Sequence, residues 1–280
     1  LIGRVPGITD EAQLAEGIIR IAIARMVSAI KEISIAKGHD PRDFALLAYG
    51  GAGPMHAALI AEELEIPRVV VPVAPGNFSA FGSLISDLRR DYVRTRLVNT
   101  RAGAFADVEA AFAELEREAG KDLAQEGIPP ERVSTLRALG MRYVGQSWEL
   151  LVRVPPAADS MAALEEAFSR AHERRYGHRS AGPVEIVNFR LTGVGEIAKP
   201  SRVRWSVEGT LENARRATRS VYFDGAFLPV PVYERERLPG GVSFAGPAII
   251  EEMGATTVVP PGWHCSVGPW GELVLERRTL

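Results

Sequence analysis

The sequence holds a single cysteine, Cys265. One thiol excludes an intramolecular disulfide and fits a reducing compartment, so a cytoplasmic location is expected. No charge of either sign dominates: 33 basic against 35 acidic residues give a formal net charge of -2. That balance gives no global attraction to nucleic acid or to an anionic membrane, and neither is expected as a partner. No apolar run approaches the ~20 residues that span a bilayer. The first residues, LIGRVPGITDEAQ, lack the basic start and apolar block of a secretory leader. They also lack an initial methionine, and the chain is read as a piece of a longer polypeptide or a processed one. A Walker phosphate loop, G-x-x-x-x-G-K-[ST], is absent.

Three motif-like strings fail on context. Gly193-Val194-Gly195-Glu196-Ile197-Ala198 reads as G-x-G-x-x-A, but Lys199-Pro200 interrupts where a helix should begin. His172-Glu173 opens like a zinc helix, but the position for a second ligand holds Tyr176. His264 and Cys265 are neighbours on a strand-like stretch, which sends them to opposite faces, so the thiol is read as semi-buried and not as a nucleophile. The five histidines show no metal-ligand spacing, and no metal site is expected from this chain's residues.

What is present is a chain of 280 residues, 46% hydrophobic and 24% charged, enough apolar material for real cores. Thr9 or Asp10 can cap a helix from Glu11 to about Lys37, where Gly38 stops it. An apolar strand at 43–49, a helix at 54–65, a strand at 68–73 and a helix from about Phe78 to Arg90 follow. This alternation predicts a parallel or mixed sheet with helices on its faces. From 92 the pattern becomes α+β: a strand at 92–99, a helix at 104–126, a hairpin over 135–154, a helix near 160–176 and a strand at 184–195. After Ser201 helix signals are few. A hairpin over Val221–Tyr233 turns at Asp224-Gly225, and strands at 248–251, 256–259 and 272–276 predict a small β-barrel or sandwich. The fold class is α/β, then α+β, then β, in segments 1–92, 93–200 and 201–280.

The stretch LLAYGGAGPMHAALIAEEL places Gly50, Gly51 and Gly53 between a strand and a helix. Glycine lets backbone approach closely, and the partner is either a ligand or another piece of chain. The helix start at Pro54 offers free N–H groups and a partial positive end. Pro75-Gly76-Asn77 ends the next strand in the same way. In a parallel sheet the two turns share the edge at which open α/β sheets bind ligands. A tight β–α turn is the plain alternative.

The stretches FALLAYGGAGPMHA and IPRVVVPVAPGNFSAFGSLISDL resemble the hydantoinase A / 5-oxoprolinase family. That family includes N-methylhydantoinases and the ATP-binding subunits of acetone and acetophenone carboxylases. RYVGQSWEL, HERRYGHRSAGPVEIVNFRL and GPAIIEEMGATTVVPPGW agree with it in order, across the C-terminal part of such a subunit. The resemblance implies that 1–92 is part of the second lobe of an actin-like (ribonuclease H-like) ATPase. It implies ATP and Mg²⁺ as cofactors. Gly50, Gly51, Ala52, Gly53 and Pro54 take the place of the adenosine motif against base and ribose, with His56 at the family's position after it. The phosphate loop of such ATPases lies in the N-terminal half of the subunit, so that half is an implied partner and this chain alone is expected to be inactive. A B-type hydantoinase subunit and a small cyclic amide or ketone substrate are implied as well. The implied chemistry is phosphoryl transfer to an amide carbonyl oxygen, after which water opens the ring. Ketone carboxylation within the same family and a non-catalytic docking fragment are the alternatives. Arg142, Tyr143, Gln146, His172, Tyr176, His178 and Arg190 are substrate-side candidates, because polar and aromatic groups cluster in the family-like stretches. Their plain readings are strand-edge charges and core-rim rings. No catalytic residue is assigned.

Overall fold

The computed structural model describes residues 10–201 and 203–277. Thr9, the alternative cap, and the stretch before it lie outside the described residues. In chain order the elements begin with α1 (Glu11–Ile33), β1 (Ala45–Leu47), α2 (Gly53–Glu63), β2 (Arg68–Val71) and α3 (Phe78–Ile85). Then come β3 (Leu88–Asn99), α4 (Phe105–Gln125), β4 (Val133–Tyr143), β5 (Leu150–Arg153), α5 (Met161–Tyr176) and β6 (Val184–Gly195). The last third holds α6 (Leu211–Ala214), β7 (Arg215–Phe223), β8 (Ala226–Glu234), β9 (Ser243–Ala245), β10 (Ala248–Glu252), β11 (Ala255–Val259), β12 (Trp263–Val267) and β13 (Leu273–Arg277). Among the described residues no helix is long and apolar enough to cross a membrane.

The chain divides into two compact units, Leu1–Leu84 with Ser201–Leu280, and Ile85–Pro200. In the first unit one sheet runs β1-β2-β13-β12-β9 and another runs β11-β10-β8-β7. Only β1–β2 in the first sheet is parallel, and β13 joins β2 antiparallel, so the sheet is mixed as expected. The strands after Ser201 therefore do not close on themselves. They divide between two sheets, and one of those sheets also contains β1 and β2. The reason is apolar continuity. Val69 and Val71 of β2 lie beside Leu273 and Leu275 of β13 in one core that also takes Ile23 and Val27 of α1 and Ala57, Ala58 and Ala61 of α2.

Local chemistry explains most boundaries. Asp10 accepts the Gln13 N–H at 2.8 Å and caps α1. That helix ends at Ile33, short of Lys37: the chain tightens into a 3₁₀ turn over Ile35–Lys37 before Gly38 takes a left-handed φ. Asp224 and Gly225 both have positive φ, the geometry of a tight hairpin turn, and join β7 to β8. The helix expected to reach Arg90 stops at Ile85. Residues 88–99 instead pair along β6, where ladder bonds outweigh a helical composition.

The second unit is a four-stranded antiparallel sheet, β3-β6-β4-β5. Residues Val108, Ala111, Phe112, Leu115, Ala119 and Leu123 of α4 recur at helical spacing and are buried. All of these but Leu123 share one core with Phe189 and Leu191 of β6 and with Leu164 and Phe168 of α5. Ser160 caps α5 through the Ala163 N–H, and Gly177 ends it in a left-handed conformation.

Candidate functional sites

In the first unit, β1 and β2 run parallel and end in neighbouring turns. Gly50 has φ +87° and donates its N–H to the Pro75 carbonyl at 2.7 Å, so the two turns are tied together. A Cβ on Gly51 would meet the Gly254 carbonyl oxygen at 3.0 Å, and one on Gly76 would meet the same oxygen at 3.0 Å. The close approach at these two glycines is made by the β10–β11 turn, a piece of chain. Gly53 has neither need: its nearest would-be contact is Ala48 at 4.0 Å. It opens α2, which has no side-chain cap, with Pro54 buried behind it and His56 half-buried in the first turn. The N–H groups of Gly51, Ala52 and Gly53 form no hydrogen bond with the described residues, and Gly51 and Ala52 are exposed. Tyr49, two residues past β1, and Phe78, the first residue of α3, have ring centroids 5.5 Å apart. Neither aromatic was singled out from sequence; the pair emerges only when β1 and β2 are aligned.

A buried ion pair holds the second turn. Arg235 donates to the carbonyls of Val71, Pro72 and Gly271, at 3.3, 3.3 and 2.6 Å. It also reaches Glu252 at 3.3 Å, and both side chains are almost wholly buried. Burial lowers the Arg235 pKa and raises that of Glu252, in each case against the attraction of the partner. Glu252 also accepts the N–H of Ala74, a residue with φ +49° at the start of the turn. Desolvation leads on both sides, so the pair fixes geometry more than it adds stability. Cys265, beside it in the core, is fully buried and not semi-buried; burial pushes its thiol up to about 12. His264 on the same strand is exposed.

In the second unit, a cavity of about 320 Å³ opens between the β4–β5 loop and the end of α5. Met141, Leu150 and Phe168 form its apolar lining, and Gln146, His172, Tyr176 and His178 supply the polar and aromatic groups. Tyr143 packs edge-on against His172 with centroids 5.0 Å apart. Five of the seven substrate-side candidates thus come together. Arg142 and Arg190 do not join them. Each sits between two core residues of its strand and so projects from the opposite face of the sheet. There Arg142 pairs with Glu185 at 2.7 Å, and Arg190 reaches Glu149 at 3.5 Å. Trp148, unmarked in the sequence reading, lines the cavity while 85% exposed. An exposed indole in a loop is the signal that could have found it. Among the described residues no group of three or more His, Cys, Asp or Glu could hold a metal ion.

Several sheets, a glycine-bounded helix start and an aromatic–histidine cavity define a mixed α/β chain with two candidate ligand surfaces. The hydantoinase/oxoprolinase family pattern matches residues 8–92, and its C-terminal domain pattern matches residues 98–276. The chain belongs to the hydantoinase/oxoprolinase family. It is 34% identical to an uncharacterized protein of Methanocaldococcus jannaschii over 95% of this chain and 38% of that protein. It is 32% identical to caprolactamase subunit alpha of Pseudomonas jessenii over 94% of this chain and 39% of that protein. The nucleotide-free structure of acetone carboxylase superposes with a TM-score of 0.78 at 27% identity, over 94% of this chain and 39% of that one. The chain spans less than half the length of the relatives it matches.

Proposed function

We propose that this chain is the C-terminal portion of an ATP-dependent subunit that activates a cyclic amide carbonyl for ring-opening hydrolysis. Family membership sets the class. The observation that carries the assignment is the row of three N–H groups, Gly51 to Gly53, that make no hydrogen bond to the described residues at the start of α2, two of them on exposed residues. ATP, bound as its Mg²⁺ complex, would supply the phosphoryl group that turns a poor amide electrophile into a good one. In this reading Gly50 to Pro54 offer backbone to the purine nucleoside, Gly53 gives the room and His56 borders the seat. Tyr49 and Phe78 add an aromatic flank for a planar base. The substrate-side residues are Tyr143, Gln146, His172, Tyr176 and His178. The chain carries no phosphate loop, so we propose that the N-terminal half of the same subunit completes the nucleotide site. The named relative is an alpha subunit, and a B-type subunit is proposed to complete the enzyme. The actin-like character of residues 1–92 belongs to the same proposal.

Calorimetric titration of ADP–Mg²⁺ into this chain tests the rim. Weak but saturable binding is expected, with no ATP turnover by the chain alone. Complete absence of binding would favour the docking-fragment reading. A second reading, ketone carboxylation, is favoured by the fold match to acetone carboxylase. Lactam-stimulated ATP hydrolysis by the complete subunits supports the first, and stimulation by ketone with bicarbonate supports the second.

A further inference from the structure

We propose that the cavity of the second unit binds the cis-amide edge of a small neutral ring, with Gln146 donating to its carbonyl and His172 accepting its N–H. The choice of saturated lactams among cis-amides rests on the proposed function; the donor–acceptor pair rests on geometry. The Tyr143 backbone N–H points to Gln146 Oε1 at 3.3 Å. A backbone N–H can only donate, so the oxygen of the amide must face it, and the NH₂ end of Gln146 is left as a donor. His172 is buried, and its Nδ1 lies 3.0 Å from the His178 carbonyl oxygen. A carbonyl can only accept, so Nδ1 carries the proton, and in that tautomer Nε2 is left as an acceptor. Neither remaining atom makes a hydrogen bond to the described residues.

Gln146 and His172 place a donor and an acceptor in one cavity, beside the hydroxyls of Ser147 and Tyr176, and that pair matches a ring that presents C=O and N–H side by side. A carboxylate or phosphate would call for cations, and no arginine or lysine lines this cavity. The volume of about 320 Å³ suits a single small ring. Met141, Leu150 and Phe168 take its methylenes, and Trp148 offers an exposed aromatic face at the edge.

The test is a ¹H–¹⁵N NMR titration of this 280-residue chain, without nucleotide, with 2-piperidone, N-methyl-2-piperidone and cyclohexanone. Saturable shifts of the Trp148 indole and Gln146 amide signals with 2-piperidone are expected, and at least tenfold weaker binding of the other two. Gln146→Leu and Trp148→Ala, both at exposed positions, are expected to weaken 2-piperidone at least tenfold with an unchanged melting temperature. Equal binding of all three ligands, or none of 2-piperidone, or wild-type affinity in both variants, would overturn the assignment. Lactam binding here without lactam-stimulated ATP hydrolysis by the complete subunits would instead sink the proposed function alone. Stimulated hydrolysis with no shift in this cavity would sink the cavity alone.

Discussion

Arg235 shows how one side chain can decide geometry while adding little net stability. Its guanidinium gathers carbonyls from the ends of β2 and of the turn before β13, and its partner Glu252 holds the Ala74 N–H. Its own Nε has no partner among the described residues. Arg235→Met strands a buried carboxylate, so a loss of about 3–5 kcal/mol is expected in denaturant melts. Arg235→Met with Glu252→Leu should recover much of that loss, and failure to recover would mean that the pair does more than fix geometry. The pH sign follows from Glu252. Its folded pKa is raised by burial, so its protonated form favours folding below the unfolded carboxyl pKa. That contribution is lost as pH rises through the folded pKa. The single variant should therefore melt higher at pH 5 than at pH 7 relative to wild type. Cys265 makes a simpler case: a fully buried thiol held near 12 should resist a thiol reagent until the protein unfolds, measured as labelling against denaturant. The histidine neighbour could be dismissed from strand alternation alone, but neither the depth of Cys265 nor the Arg235–Glu252 pair could be read. Sequence patterns do not reveal which charge meets which across the core.

At the scale of elements, the glycine loop separates into three jobs. Gly50 supplies backbone conformation, Gly51 makes room for the Gly254 carbonyl, and Gly53 is left over. Gly51→Ala should destabilise by about 1–3 kcal/mol, because backbone would have to shift. Gly53→Ala should leave the melting temperature within about 2 °C, a shift of less than 1 kcal/mol, while weakening ADP binding at least tenfold. Equal nucleotide affinity in Gly53→Ala would remove the ligand reading and leave only a turn. Much of this level was legible. The helices at 105–125 and 161–176 and the strand at 184–195 follow from periodicity and caps, and the Asp224-Gly225 turn from its residue types. The strand β9 was not legible, since three residues carry no period, and β12 was legible only as a strand-like stretch around His264 and Cys265, without bounds, because Trp263-His264-Cys265 has none of the usual β-branched residues. The strand at 88–99 escaped in part because Arg89 and Arg90 suit a helix until β6 is there to pair with them.

For the whole molecule, the finding of most use is which segments share a core. Residues 85–200 contain their own sheet, helices and buried cluster. Expressed alone, they should fold cooperatively, with dispersed NMR amide signals. Residues 201–280 alone should not, since β13 leaves β2 as its neighbour and half its core behind. A folded 201–280 fragment would restore the three-segment organisation that composition suggests. Composition marks where the rhythm of elements changes; it cannot mark which distant strands become neighbours. That part of the architecture is set by non-local burial.

The strand order β1-β2-β13-β12-β9 gives synthesis a direction. Of the described strands in that sheet, the one made last lands in the middle. Until it arrives, β2 and β12 wait with open edges, while residues 85–200 have long had everything they need. A nascent chain halted before Leu273 would carry one finished unit and one exposed, sticky half-sheet, a natural target for chaperones and for quality-control proteolysis.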